Sequence, residues 1–178
     1  MRRYWVLATA GLLTCLALPS VQAAEDAIQG VASGKVQKVG FRAMILKQAI
    51  QYNLAGSARN TNVETVQFSL QGKPARLHNT ENRIKQGTDK SEDVKVAIQP
   101  AKFDAQLRTF TVFGWTSTSR DISKPYDLVF TLRDDGSKVS SKQAKKAFCD
   151  ILAKTLDAAD WQKAKPGCDK HQDEAVED

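Results

Sequence analysis

The apolar residues in the first third of the chain change their period twice, and this succession constrains the fold more than any other feature. Residues 28–36 are typical of an incompletely patterned strand with glycines around its exit. From Phe41 the apolar positions follow one helical face until Asn53, a residue type that tolerates the left-handed conformation at a helix end. A short strand at 57–60, a polar turn and an alternating strand ending at Gly72 follow. This part therefore reads strand, loop, helix, strand, turn, strand.

The remainder of the chain is predicted to add strands and one C-terminal helix. A weaker helical pattern covers 75–86, and strands are predicted at 94–98, 103–115 and 126–132. A serine at 140 or 141 then caps a helix that extends to Ala159, with an apolar stripe at 3.6-residue spacing. Because 42% of the residues are hydrophobic and spread along the chain, we expect a single modest core.

The N-terminus carries an apolar run from Tyr4 to Leu18, preceded by two arginines and followed by small residues up to Ala23. The run is shorter than the roughly 20 residues that span a bilayer, and this arrangement is typical of a secretory signal. We therefore predict that residues 1–23 are a signal peptide. The mature protein is then exported, periplasmic or secreted, with no stable membrane anchor. A retained anchor is the alternative that the short run and its flanks disfavour.

Cleavage after residue 23 would remove Cys15 and leave Cys149 and Cys168. An exported chain usually enters an oxidising compartment, where an unpaired exposed thiol is a liability, so we predict a disulfide between the two. Their spacing is not Cys-x-x-Cys, which disfavours a redox-active role. The bond is expected to restrain the segment that follows the C-terminal helix.

The chain is basic, with 26 Lys+Arg against 20 Asp+Glu and a formal charge of +6. Acidic residues concentrate in 169–178, which we predict to be a frayed end. Since no Lys/Arg stripe is interleaved with aromatic residues, a solvated basic surface is favoured and no nucleic-acid partner is expected. His78 and His171 are isolated in the sequence, so no metal site is predicted.

One loop has residues suited to holding an anion. It reads Gly34-Lys35-Val36-Gln37-Lys38-Val39-Gly40-Phe41-Arg42 and precedes the first predicted helix. Free backbone N–H groups and the helix dipole favour an anion at a helix N-terminus, and an arginine there can grip phosphate or carboxylate with two hydrogen bonds. Glycine-containing turns before helices are common, so the loop alone also fits an ordinary surface connection.

Two segments of the chain, matched in register, resemble the signature segments of the acylphosphatase family. They are Gly34-x-Val36-Gln37-x-Val39-x-Phe41-Arg42 and Gly56-x-Ala58-Arg59-Asn60, with Val66 and Gly72 after them. The separation of Arg42 from Asn60 and the Ala49 between them also match. The resemblance is clear from about Ile28 to Gly72, extends towards Trp115, and does not cover residues 116–178.

The resemblance implies a ferredoxin-like βαββαβ sandwich with an antiparallel sheet over about residues 24–120. A strand and a helix in residues 121–178 would extend it and pack on the same domain. The implied activity is hydrolysis of the carboxyl-phosphate bond of acyl phosphates to carboxylate and phosphate, with neither metal nor cofactor. By position, Arg42 would hold the phosphoryl oxygens and Asn60 would orient the attacking water. The phosphoryl oxygens would also be bound by the backbone N–H groups of the phosphate-binding loop, which consists of Gln37, Lys38, Val39, Gly40 and Phe41.

Three positions depart from the family pattern. Lys38 and Glu64 replace glycines, and Ser57 replaces a usually aromatic residue. A side chain at position 38 costs about 1 kcal/mol if the backbone there needs a positive φ, and it either obstructs the loop or adds a second cation. Two hypotheses therefore remain open. The chain is an exported hydrolase of acyl phosphates, or a non-catalytic exported module of the same fold that binds an anion or a protein partner.

Overall fold

The computed structural model describes residues 25–173, so the predicted signal peptide lies outside the described residues. Six strands, four α-helices and a short 3-10 turn at Thr118–Arg120 occur in this part of the chain. In chain order the strands and helices are β1 (Asp26–Lys35), α1 (Phe41–Tyr52), β2 (Ala55–Asn60), β3 (Val66–Gly72), α2 (Pro74–Gln86), β4 (Glu92–Pro100), β5 (Thr109–Ser117), β6 (Ile122–Thr131), α3 (Ser141–Thr155) and α4 (Ala158–Asp173).

The strands form one sheet in the order β4-β1-β3-β2-β5-β6. The first six elements follow the βαββαβ order, which confirms the α+β, ferredoxin-like prediction. The predicted antiparallel sheet is correct for β4, β1, β3 and β2, but β5 pairs with β2 in parallel, with Ser57 opposite Thr111, so the whole sheet is mixed. The hairpin of β5 and β6 thus covers the edge that β2 would otherwise expose and makes β6 the edge strand on that side of the sheet.

The core lies between this sheet and its helices. Helix α1 contributes its predicted apolar face, with Ile45 and Ala49 fully buried, and β3 buries every second residue from Val66 to Leu70. Burying one such aliphatic side chain stabilises the fold by about 1.5–3 kcal/mol. Helix α3 packs on α1 and β6, so the C-terminal part shares the core of the signature segments.

The predicted C-terminal helix is confirmed as α3, but its extension to Ala159 is wrong, because a second helix begins there. The N-cap of α3 is Ser140, whose side chain accepts from the N–H of Gln143 in a capping box, and its C-cap is the extended residue Leu156. Asp157 then starts α4, since its Oδ1 accepts from the N–H of Asp160 at 2.9 Å. The apolar stripe continues across Leu156, which concealed the break from the sequence pattern.

Two other predicted boundaries differ from those in the structure. The strand predicted at 103–115 is β5, which begins only at Thr109, because Gln71 holds residues 104–107 in a turn through two hydrogen bonds to the backbone of Asp104. The frayed end predicted from Asp169 is wrong as far as Asp173, where α4 ends. Residues 174–178 lie outside the described part. Over residues 25–173, no helix combines the length and the apolar character needed to cross a bilayer.

Candidate active site

Three residues at and after the end of β1, before α1, have positive φ angles: Gly34, Lys38 and Gly40. Gly34 has φ +98°, and a Cβ there would lie 2.4 Å from the carbonyl oxygen of Asp93, so the close approach of β4 requires glycine. Gly40, with φ +76°, ends the loop as the N-cap of α1 and provides no side-chain cap. The first N–H groups of α1 therefore lack both a helical partner and a capping side chain, and no acidic residue lies in this turn.

Lys38 adopts the left-handed conformation expected of the glycine it replaces, with φ +59°. Glu64, the second replaced glycine, has the same φ in the turn between β2 and β3. Both turns keep the backbone shape that a glycine would allow, at a cost of about 1–2 kcal/mol per residue. The third departure, Ser57, places its Oγ 3.1 Å from the Oγ of Ser69 on β3.

Two side-chain contacts hold this loop in place. Gln37 donates from Nε2 to the carbonyl oxygens of Thr61 and Thr65, both at 3.0 Å, which ties the loop to the turn after Asn60. The carbonyl oxygen of Val39 accepts from Thr88 Oγ1 at 3.0 Å on the other side. The predicted phosphate-binding loop is therefore anchored from both flanks.

Arg42, the second residue of α1, reaches across to β5. Its Nη1 donates to the carbonyl oxygens of Phe113 at 2.6 Å and Gly114 at 2.9 Å. Burial lowers the pKa of Arg42 from its usual value, and within residues 25–173 no acidic side chain pairs with it. The carbonyl contacts fix the guanidinium and leave its other N–H groups available to an anion.

Asn60 ends β2, where its backbone pairs with Val66 of β3. Its Oδ1 is buried and accepts no hydrogen bond from the described residues. Leaving such an acceptor unsatisfied costs about 1–3 kcal/mol, so a buried polar atom of this kind is normally satisfied by water or a ligand.

One cleft of about 240 Å³ brings these groups together. Its lining contains Arg42, Asn60 and every predicted loop residue except Val39. It also contains four cationic residues and no aspartate or glutamate: Lys38, Arg42, Lys47 and Arg120. A larger groove of about 600 Å³ lies along β1 to β4 and includes neither Arg42 nor Asn60.

Lys47, Arg120 and Phe148 are cleft residues that the sequence analysis missed. Lys47 follows Arg42 by five positions on α1, outside the signature residues, and looks like an ordinary helical lysine. Arg120 comes from the turn between β5 and β6, and Phe148 from α3. No local pattern links three residues so far apart, so only the fold shows their proximity.

The predicted disulfide joins Cys149 of α3 to Cys168 of α4, with a Cα–Cα distance of 5.8 Å. Within residues 25–173, no group of three or more His, Cys, Asp or Glu side chains is placed to hold a metal ion. His78 is exposed on α2, where its Nε2 lies 3.1 Å from Asn82 Nδ2.

Comparisons with known proteins identify the same region. The model of the acylphosphatase family matches residues 28–112. An acylphosphatase of Chlorobaculum tepidum is 30% identical over 88 residues, which are 49% of this chain and 96% of the relative. One of Koribacter versatilis is 32% identical over 82 residues, 46% of this chain and 74% of the relative. The structure of an acylphosphatase from Coxiella burnetii aligns with a TM-score of 0.45 at 25% identity, covering 49% of this chain and 92% of that one. The chain belongs to the acylphosphatase family.

Proposed function

We propose that the protein hydrolyses the carboxyl-phosphate bond of acyl phosphates. The observation that carries this proposal is the buried, unsatisfied Oδ1 of Asn60 in the same cleft as the guanidinium of Arg42 and the uncapped N-terminus of α1. Hydrogen-bond donors for an anion and a free hydrogen-bond acceptor for water thus lie in the same cleft. These are the two elements that attack of water on a phosphoryl group requires.

In the proposed reaction the loop N–H groups and Arg42 bind the phosphoryl oxygens. The Oδ1 of Asn60 accepts a hydrogen bond from the attacking water and aims its oxygen at phosphorus. As that O–P bond forms, the bond between phosphorus and the acyl oxygen breaks, and its electron pair leaves with the carboxylate. One proton of the water stays on the attacking oxygen, and the other moves to another oxygen of the released phosphate. Because carboxylate is a good leaving group, positioning and charge stabilisation suffice without a side-chain nucleophile.

Lys38 is compatible with this role. Its backbone keeps the left-handed conformation, so the loop is not remodelled, and its exposed side chain adds a cation at the cleft. The geometry thus favours the interpretation that Lys38 adds a second cation to the site over the one in which its side chain obstructs the loop.

Release of phosphate from benzoyl phosphate tests the proposal. We expect turnover by the wild type and a loss of at least about 100-fold in Arg42→Ala and Asn60→Ala, since misplacing a reacting group typically costs that much. Arg59→Ala is the matched control, because Arg59 neighbours Asn60 but bonds to Gln67 and does not line the cleft. Phosphate binding without turnover by a folded wild type would instead support the non-catalytic module.

We also propose that the protein acts after export to an oxidising compartment. The Cys149–Cys168 disulfide supports this, since such bonds persist mainly outside the cytosol. The test is N-terminal sequencing of the protein recovered from the periplasm or the medium, where a chain that begins at Ala24 is expected. An uncleaved chain in the cytosolic fraction would contradict the proposal.

A further inference from the structure

The cleft contains a cation, Lys47, that pairs with no carboxylate among residues 25–173. Lys47 is half-buried, and its Nζ lies 5.3 Å from the centroid of the Phe148 ring. Over residues 25–173 it forms neither an ion pair nor a hydrogen bond through its side chain. Burial, followed by the charges of Lys145, Arg120 and Arg83, lowers the pKa of Lys47. Withdrawing an ammonium from water among like charges is unfavourable unless an anion compensates.

Arg120 supplies the second charge, from the turn that connects β5 to β6. Its described hydrogen bond is a long one, from Nη1 to Ser117 Oγ at 3.3 Å, and no carboxylate in the described chain pairs with it. Helix α4 lies directly behind it, because a Cβ on Gly167 would be 2.7 Å from Arg120 Nη2. The guanidinium is therefore packed against α4, and Arg120 lines the cleft.

The disulfide fastens both walls of this part of the cleft. Cys149 follows Phe148, which lies beside Lys47, and Cys168 follows Gly167, which lies beside Arg120. One covalent bond thus fixes the spacing between the two walls. Such a rigid support is what a binding site needs if it is to gain affinity without ordering loose segments.

The surrounding charges do not cancel these cations. Lys145 of α3 adds a third charge beside Lys47 and the disulfide. Asp89 lines an adjoining groove with Lys47 and Lys145, but it is exposed and forms no ion pair with either. A mere solvated surface would leave the ammonium of Lys47 in water instead of against an aromatic ring.

We propose that Lys47 and Arg120 form a second anion subsite, which selects acyl phosphates bearing another carboxylate or phosphate on the acyl group. The assignment of these molecules as substrates rests on the proposed hydrolase function, whereas the subsite itself is a claim about binding. Arg42 and the loop would hold the transferred phosphoryl group, and the second anion would lie at the other end of the same cleft. The C-terminal part of the chain, beyond the family match at 28–112, would thereby contribute specificity.

Calorimetric titration with stable phosphonates tests the subsite without relying on turnover. The probes are benzylphosphonate, 4-carboxybenzylphosphonate and p-xylylenediphosphonate, which differ in the second anion. We expect the wild type to bind at least one of the two doubly anionic probes about tenfold or more tightly than benzylphosphonate, as a charge-assisted hydrogen bond allows. A carboxylate preference over phosphonate, or the reverse, identifies the second group.

The variants are Lys47→Met and Arg120→Gln. In each, the ratio of the affinity for the doubly anionic probe to the affinity for benzylphosphonate should fall towards one. Lys146→Met is the matched control, since Lys146 lies on α3 but pairs with Asp150 and is exposed. It should retain the preference. Equal affinities of the wild type for all three probes, or a preference that survives in both Lys47→Met and Arg120→Gln, would overturn the subsite.

Turnover of benzoyl phosphate and of 4-carboxybenzoyl phosphate by the same proteins separates the two proposals. If neither is hydrolysed while the phosphonate preference persists, the hydrolase function fails and the subsite stands. If both are hydrolysed with the same kcat/KM and the phosphonates bind equally, the hydrolase stands and the subsite fails.

Discussion

The side-chain amide of Asn53 pairs with both backbone groups of Arg133. Its Nδ2 donates to the carbonyl oxygen of Arg133 at 3.1 Å, and its Oδ1 accepts from the N–H of Arg133 at 2.8 Å. Asn53 also ends α1 in the left-handed conformation, with φ +56°. The guanidinium of Arg133 donates back to the carbonyl oxygen of Ile50 at 2.8 Å. The end of the first helix is thus closed by the residues that follow β6.

This pairing predicts a graded loss of stability at position 53. Asn53→Gly keeps the left-handed conformation but leaves two backbone groups of Arg133 unsatisfied, so we expect a loss of about 1–3 kcal/mol in the free energy of unfolding. Asn53→Ala should lose about 1 kcal/mol more, because a Cβ is unfavourable at positive φ. Urea unfolding of the oxidised protein measures both. Equal stability of the two variants would show that the backbone conformation contributes nothing.

The central elements could be predicted from the sequence because their patterns are local. The change from period two to the helical period at Phe41 and the alternation from Val66 to Leu70 correspond to α1 and β3. What failed depended on single side-chain contacts that the apolar pattern does not show. Gln71 delays the start of β5, and Asp157 starts a second helix where the apolar stripe appears continuous.

In the candidate site, too, some residues can be predicted from local sequence patterns and others only from the tertiary structure. Arg42 and Asn60 can be predicted as site residues because two signature segments preserve their types and spacing, and the fold places both in one cleft. Position 38 was recognised as unusual, but only the structure shows that lysine there takes φ +59°. Lys47 and Arg120 carry no signature, since their meaning depends on Phe148 and on α4, which approach through tertiary packing.

Replacing Lys38 with glycine tests whether this residue obstructs the loop. Because the backbone is already left-handed, glycine relieves about 1 kcal/mol of steric cost but adds a similar entropy to the unfolded chain, so stability should change little. We expect kcat/KM for benzoyl phosphate to fall by no more than about tenfold, through loss of one cation. Lys38→Ala removes the same charge and retains the Cβ, which makes it the control. A gain of about 100-fold in Lys38→Gly alone would favour the non-catalytic hypothesis for the natural chain.

Removal of the disulfide should separate stability from phosphate chemistry. Cys149 and Cys168 are 19 positions apart, and a loop of that order contributes about 3 kcal/mol by restricting the unfolded chain. The double variant Cys149→Ser with Cys168→Ser is expected to lose about that amount in urea unfolding. It should still hydrolyse benzoyl phosphate, because Arg42 and Asn60 are held by contacts outside the closed loop.

The control for the cross-link is Ser140→Ala in the same helix. This change removes the N-cap of α3, which costs about 1 kcal/mol, and leaves the disulfide intact. The doubly anionic phosphonate preference should persist in Ser140→Ala and diminish in the double serine variant, where α4 no longer holds Arg120. An undiminished preference in the double variant would mean that packing alone positions that guanidinium.

The contact between α4 and β6 predicts a loss of stability in acid. The N–H of Asp160, then the hydroxyl of Tyr126 and the ammonium of Lys124, lower the pKa of Asp157 from 3.8 to about 2. A carboxyl whose pKa is depressed in the folded state stabilises it fully above its unfolded pKa. That contribution is lost as the pH falls from about 4 to about 2.

Asp157→Asn isolates this titration, because asparagine remains a good N-cap but cannot ionise. The wild type should be the more stable protein at pH 6, and the difference in urea midpoint should shrink steadily below pH 4. High salt should also reduce it, since Asp157 and Lys124 are partly exposed. Tyr126→Phe provides a second check, because it removes the hydroxyl that Asp157 shares with Asp160 and should narrow the pH-dependent difference. A midpoint difference that is constant from pH 6 to pH 2 would show that the Asp157 carboxylate does not stabilise this contact.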